Sequence, residues 1–365
     1  MAEKAKKLKL STKSNLITYA MLIVFFIVMQ TLISTDSISS LLNGLLVPLC
    51  TYSILAVSLN LVVGILGDLS LGHAGFMCVG AYASAFFSVT FADAIPQDWL
   101  RFLLALLLGG IVAAFFGLII GIPVLRLKGD YLAIVTLAFG EIIKNIVNLL
   151  YVGIDSKGLH VSLESSQALG LEADGKMIIK GALGITGTPK DSTFLIGFIL
   201  LLITVVVSLN LINSRTGRAV MAIRDNRIAA ESIGINVTKY KLIVFMISAF
   251  FAGIAGVLYA HNLSSLTATS KNFGYNMSIT ILVFVVLGGI GSTRGSIIAA
   301  VILTALPEYL RSLNDYRMLI YSIVLILLML ANNNERLNVF KEKISITNFL
   351  RNRKKGNTLD KEAKS

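Results

Sequence analysis

The 365 residues would fill two or three water-soluble domains, but apolar types make up 55% of them and charged types only 14%, against about 25% charge in a soluble domain. A chain this apolar does not cover its own surface in water, so its solvent is a bilayer. The net charge of +12 leaves three readings, namely nucleic acid, anionic lipid or the orientation bias of a membrane protein, and the positions of the basic residues decide among them.

In chain order, Lys4, Lys6, Lys7, Lys9 and Lys13 precede an apolar run from Leu16 to Ser34. This run exceeds the roughly 7–15-residue core of a signal peptide and no A-x-A site follows it, so it reads as a retained first span. A span takes about 20 apolar residues. Nine further runs follow: Leu41–Leu66, His73–Phe91, Phe102–Ile122, Tyr131–Tyr151, Phe194–Ile212, Leu242–Ala260, Met277–Ile290, Ser296–Leu310 and Met318–Ala331. Three of them, His73–Phe91, Met277–Ile290 and Ser296–Leu310, are short or rich in small residues. These suit broken or re-entrant segments, which a membrane tolerates where protein or a cavity buries them. The expected fold class is all-α, a polytopic helical membrane protein of about ten transmembrane segments. The expected organisation is a basic tail over 1–15, a transmembrane domain over 16–332 and a second basic tail over 333–365.

With the N-terminus set in the cytoplasm, the inner segments hold five Lys in the first tail, Arg126 and Lys128, six basic residues from Arg215 to Lys241, Arg294, and nine from Arg336 to Lys364. Together these are 23 of the 32 basic residues, and they alternate correctly through all ten runs, as the positive-inside rule requires. Both termini are expected in the cytoplasm. No aromatic residues interleave the basic clusters, which argues against a nucleic-acid surface; the C-terminal tail either stays in water or touches anionic lipid.

Small residues recur every fourth position at Gly109, Ala113, Gly117 and Gly121, and again at Ser248, Ala252, Gly256 and Ala260. Such stripes let helix backbones approach closely in lipid. Trp99 and Tyr151 fall at expected outer interfaces. Cys50 and Cys78 lie in apolar runs without metal-ligand spacing. No phosphate-binding G-x-x-x-x-G-K-[ST] or H-E-x-x-H occurs, and His73, His160 and His261 are scattered. A transporter or channel is therefore expected rather than an enzyme.

Ionisable residues within the membrane are costly and count as functional candidates. Glu141 stands eleven residues past Asp130, about 16 Å deep at about 1.5 Å per residue, and Lys144 shares its helical face. The pair either meets the charges of a zwitterion or only fixes the helix. The segment Gly67-Asp68-Leu69-Ser70-Leu71-Gly72-His73-Ala74-Gly75-Phe76 reads either as a cytoplasmic turn or as a broken helix whose free backbone groups line a polar path. Gly288-Gly289-Ile290-Gly291-Ser292-Thr293-Arg294-Gly295-Ser296 echoes it, and five spans on each side of the long outer loop (152–192) would form an inverted repeat. The loop 213–240 keeps helical spacing at Val220, Ile223, Arg227 and Ala230, with Gly234 as the stop. It reads as one helix that docks on a partner or lies on the inner leaflet.

At these residues the chain resembles the ABC-type branched-chain amino-acid permeases. Asn60 to Ser84, with G-D-L-S-L-G-H-A-G-F, carries the likeness, and Leu127 to Lys144 is similar to the M-type subunit in particular. Gly217 to Gly234 is similar to the coupling loop of ABC importers, a variant of E-A-A-x-x-x-G in which Glu231 follows Ala229-Ala230. The G-G-I-G-S-T-R-G-S segment also fits, and the likeness covers roughly residues 16–332. It implies a permease distantly like the vitamin B12 importer subunit, paired with an H-type permease, two cytoplasmic ATPases and an extracytoplasmic binding protein. ATP and Mg would be bound by the ATPases, with no cofactor in this chain. Asn60, Ser70, His73, Thr136, Glu141 and Lys144 are the substrate-path residues on this reading, and Arg224, Asp225, Ala230, Glu231 and Gly234 the ATPase-coupling residues. The outer stretch from Val152 to Asp191 departs from the family's G-G-x-x-G-L-like segment, which keeps urea and short amides open as cargo. A secondary transporter using Glu141 as an ion site is the alternative from another class.

Overall fold

A computed structural model describes residues 2–35, 39–127, 129–171, 175–311 and 316–333. Its helices are α1 (Ala2–Ser34), α2 (Ser40–Asn60), α3 (His73–Thr90), α4 (Asp98–Val124), α5 (Asp130–Leu149), α6 (Phe194–Asn213), α7 (Arg215–Asp225), α8 (Arg227–Ser232), α9 (Val237–Ala260), α10 (Tyr275–Gly288), α11 (Thr293–Tyr309) and α12 (Arg317–Asn333). α1 runs on through the first basic tail, since Lys, Leu and Ala are strong helix formers. The second tail lies, from residue 334, outside the described residues, as does Lys128.

Among the described residues six helices are long and apolar enough to cross a membrane: Asn15–Ser34, Leu42–Leu66, Asp98–Val124, Asp130–Leu149, Phe194–Asn213 and Val237–Ala260. The four remaining expected spans correspond to α3, α10, α11 and α12, of 18, 14, 17 and 17 residues. The chain divides into two compact units, Met1–Ala305 and Leu306–Ser365. In the second, α12 exposes Leu319, Ile323, Ile326 and Leu330.

In the first unit α3 is the central helix, buried almost throughout. It fits there because its neighbours are small. A Cβ on Gly80 would lie 2.5 Å from Gly253 Cα, and one on Gly256 would lie 2.1 Å from Met77 O. The α4 stripe packs on the neighbouring row of α9, Ala249 and Gly253, while the second stripe itself turns toward α3 through Gly256. A Cβ on Gly117 would stand 2.7 Å from Ala249, and one on Gly253 would stand 2.5 Å from Ala113. Both stripes therefore serve packing within the chain. The opposite side of α4 exposes Leu103, Leu107, Ile111, Phe115 and Ile119, an apolar face suited to lipid.

The described part of the loop over 152–192 is not irregular. Strands β1 (Tyr151–Asp155), β2 (Gly158–Ser162), β3 (Lys176–Lys180), β4 (Ile185–Thr186) and β5 (Ser265–Leu266) form an antiparallel sheet in the order β2-β1-β3-β4-β5. Asp155 Oδ1 accepts from the Lys157 and Gly158 N–H groups at 2.8 and 3.2 Å and closes the first hairpin. Gly184 is required where β4 meets β5: its φ is +68° and a Cβ would fall 1.8 Å from Leu266 O.

Candidate functional site

Two segments break the helical pattern at depth, entering from opposite ends of the bundle. The first follows α2, which widens into a buried π-helical stretch at Leu61–Leu66 and stops at Gly67, whose φ is +79°. The chain then returns along α5. The Leu71 N–H donates to Thr136 Oγ1 at 3.0 Å, and a Cβ on Gly72 would sit 2.3 Å from Thr136 O. Ser70 is buried in this link. α3 begins inside the bundle, with the Ala74 N–H donating to Ser278 Oγ of α10 at 3.2 Å. His73 Nε2 lies 2.7 Å from Ser58 Oγ. The Ser58 hydroxyl also lies 3.0 Å from Leu55 O.

The second break descends from β5. Phe273 is fully buried against Tyr82 and Tyr259. The polar row on α5 holds this segment at three successive levels. Asn148 Nδ2 donates to Ala268 O at 2.9 Å, Lys144 Nζ donates to Ser270 Oγ at 3.0 Å, and Glu141 Oε1 accepts from the Tyr275 N–H at 2.7 Å. Glu141 Oε2 pairs with Lys144 Nζ. α10 therefore starts at the depth of Glu141, with a carboxylate on its positive end. Glu141 and Lys144 are brought together as the spacing suggests, but each also has a partner on the descending segment.

At the other end of the bundle α7 and α8 form an elbow rather than the single helix expected. Asn226 breaks it, because its side chain accepts from the Ala229 N–H at 3.0 Å and so begins a new helix. Gly234, with φ +84°, ends α8, and its N–H donates to Glu231 O at 3.0 Å. Ala230 is buried with Ile223 and Val237. Glu231 pairs with Arg227 and Asp225 with Arg224, both on the surface, while Ile228 and Ile233 are exposed. Arg224 Nη1 donates to Gly64 O at 3.0 Å. Lys241 Nζ donates to Asp68 Oδ2 at 2.6 Å. A cleft of about 490 Å³ opens here, lined by Gly67, Asp68, Arg224, Asn226, Arg227 and Lys241. Asn60 Oδ1 accepts from the Gly291 N–H at 2.9 Å, which joins the two glycine-rich segments.

At the sheet end, Arg101 donates to Asp98 Oδ1 at 2.6 Å and lies 3.9 Å from Asp191 Oδ2. Burial raises the Asp191 pKa above its usual value, Arg101 opposes the rise, and Asp98 adds to it.

The path candidates divide accordingly. Ser70, His73 and Thr136 line the first break, Glu141 and Lys144 hold the second, and Asn60 lies on the α7 side of the first. Ser278, Ser270 and Lys241 escape a reading from sequence because each is recruited by a partner far along the chain, and Gly291, although its segment stands out, gives no local sign of its bond to Asn60. The 14-residue length of α10 behind Gly274 is the one local sign of a half-helix. Among the described residues no group of His, Cys, Asp or Glu is placed to hold a metal, and Cys50 and Cys78 are free and buried.

Apolar spanning helices, two breaks at depth and a polar elbow at one end define a polytopic membrane transport component. The chain belongs to the family described as the permease component of branched-chain amino acid transport systems, whose model matches residues 40–330. It is 37% identical over 289 residues to the high-affinity branched-chain amino acid transport system permease protein LivM of Salmonella typhimurium, covering 76% of this chain and 66% of the relative. Against LivM of Escherichia coli K12 it is 34% identical, covering 81% and 70%. The chain thus spans about two thirds of the length of these two relatives. LivH of Salmonella typhimurium is 24% identical over 77% of this chain and 89% of its own length. No solved structure matches the chain.

Proposed function

We propose that this chain is the M-type permease subunit of an ATP-driven importer of branched-chain or chemically related amino acids in a bacterial cytoplasmic membrane. The observation that carries the reading is the seat of the α7–α8 elbow on the broken end of α2, through Arg224 and Gly64 O. An element so placed converts a push from outside the bilayer into a shift of a spanning helix, and Ile228 and Ile233 offer an ATPase an apolar foothold. ATP and Mg are bound by two partner ATPases, and this chain has no catalytic role. The elbow end faces the cytoplasm, where the basic residues concentrate, and both termini lie on that side. The sheet faces outward and receives a solute-binding protein. An H-type permease completes the membrane core, which accords with the likeness to both LivM and LivH. Alternating access at the two breaks moves the cargo past Ser70, His73, Thr136, Glu141 and Lys144. Both Glu141 oxygens already hold partners, the Tyr275 N–H and Lys144, which supports a fixed positioning group over a carboxylate that binds and releases an ion.

The test is co-reconstitution of this chain with an H-type permease, the two ATPases and the binding protein. The expected result is ATP-dependent uptake of leucine, isoleucine or valine that excess urea or acetamide does not suppress. Suppression by either compound would move the cargo to short amides. Uptake by this chain alone, driven by an ion gradient, would refute the proposal.

A further inference from the structure

We infer that Arg224 and Asn60 are paired positioning residues that grip one turn of α2 from two sides and carry movement of the α7–α8 elbow into the α10–α11 turn. The inference rests on the reading that the elbow meets an ATPase.

The geometry starts from the π-helical stretch. Its wide turn sends both the Gly67 and Asp68 N–H groups to Val62 O, so the carbonyls beyond Val62 reach the helix end without partners from that turn. This is the negative end of a 25-residue helix, Leu42–Leu66, where a cation is favoured. Arg224 reaches one of these carbonyls, Gly64 O, from a different element 160 positions away. Its stem passes so near that a Cβ on Gly67 would lie 2.5 Å from Arg224 Cγ.

The same glycine is held from the other side. A Cβ on Gly64 would fall 2.2 Å from Asn60 Oδ1 and 2.4 Å from Gly291 N. Asn60 Oδ1 accepts from that Gly291 N–H, and Gly291 (φ +83°) lies in the turn between α10 and α11. That turn is closely packed across its ends: a Cβ on Gly295 would fall 1.6 Å from Gly288 O. A displacement of α7 that drags Gly64 therefore moves Gly291 with it, because close contact leaves no slack for sliding. From Gly291 the movement runs up α10 to its N-terminus on Glu141. The polar side chain of Asn60 is thus spent on coupling rather than on cargo.

A cap that only stabilised α2 would leave the stoichiometry of transport untouched. In the complete reconstituted complex, Arg224→Gln and Asn60→Ala are each expected to lower the amount of leucine imported per ATP hydrolysed at least about tenfold. The double variant should be no worse than the poorer single, because both act on one path, and Arg224→Lys should recover part of the ratio. A ratio within about twofold of wild type, or losses that multiply in the double variant, would overturn the inference.

Spin labels provide a readout that does not depend on transport. Ile228 and Ile290 are both exposed, so Ile228→Cys and Ile290→Cys accept labels while Cys50 and Cys78 stay buried. In the wild-type background both labels should shift when ATP binds to the complex. With Arg224→Gln, the label at 228 should still shift and the label at 290 should not. If both still shift, the link fails. If the label at 228 never responds to ATP, the elbow does not meet the ATPase and the functional reading beneath the inference fails.

Discussion

The Glu141 carboxylate accepts a hydrogen bond from the backbone N–H of Tyr275, 134 residues further along the chain, at 2.7 Å. One of the four N–H groups that every helix leaves unpaired at its start is thereby satisfied from α5. The charge sits where the α10 dipole favours it, and the other carboxylate oxygen holds Lys144.

This double duty predicts an order of harm. Glu141→Ala strips α10 of its cap and leaves a buried ammonium with only Ser270, a loss on the order of 3–5 kcal/mol for a broken buried pair. Lys144→Met leaves the carboxylate on the Tyr275 N–H and costs less. Thermal unfolding of the purified variants checks the ranking, and an inverted order would show that the cap matters little. Glu141→Gln keeps the acceptor for Tyr275 but loses the charge. It is expected to assemble with the ATPases yet import poorly, and unchanged uptake would reduce Glu141 to a structural role.

Gly72 and Gly44 make a matched pair. A Cβ on Gly72 meets Thr136 O at 2.3 Å, whereas Gly44 has nothing within 4 Å. Gly72→Ala should destabilise the protein by about 1–3 kcal/mol through overpacking. Gly44→Ala, in the first turns of α2, should be neutral or stabilising by up to about 1 kcal/mol. Melting temperatures of the two single variants decide it.

Gly234 combines a left-handed φ of +84° with an N–H that is in use. Proline supplies neither, since its φ is fixed near −65° and it has no N–H. Gly234→Pro should abolish uptake while the protein still inserts in the membrane. Gly234→Asn, which tolerates this conformation, should retain much of the uptake. Normal uptake by Gly234→Pro would remove the elbow from the transport cycle.

Asp191 should leave a pH signature at the sheet end. Burial raises its pKa in the folded state, with Arg101 opposing and Asp98 reinforcing the rise. A raised carboxyl pKa means that the folded state holds the proton more tightly than the unfolded state does. The stabilisation is complete below the unfolded value and is lost as pH climbs through the folded one. Wild type should therefore gain stability relative to Asp191→Asn on acidification toward the ordinary carboxylate range. A difference between the two melting curves that does not change with pH would contradict this.

The sequence by itself determined the medium, the helical class, the face that Glu141 and Lys144 share, and the stopping point at Gly234. Each of these rests on composition, on the 3.6-residue period, or on a backbone preference within a few residues. The elbow at Asn226 was also written locally, in a side chain suited to starting a helix, but it competed with a helical period that ran straight through it. The five-stranded sheet lay beyond such rules, because β4 and β5 are two residues each and pair across α6 to α9. Only the tertiary structure decided that Glu141 caps α10, that Arg224 reaches Gly64 O, and that Asn60 faces Gly291. A hydrogen bond forms wherever folding brings an orphaned donor and acceptor together. Which groups are orphaned depends on where distant helices end, and no local pattern records that.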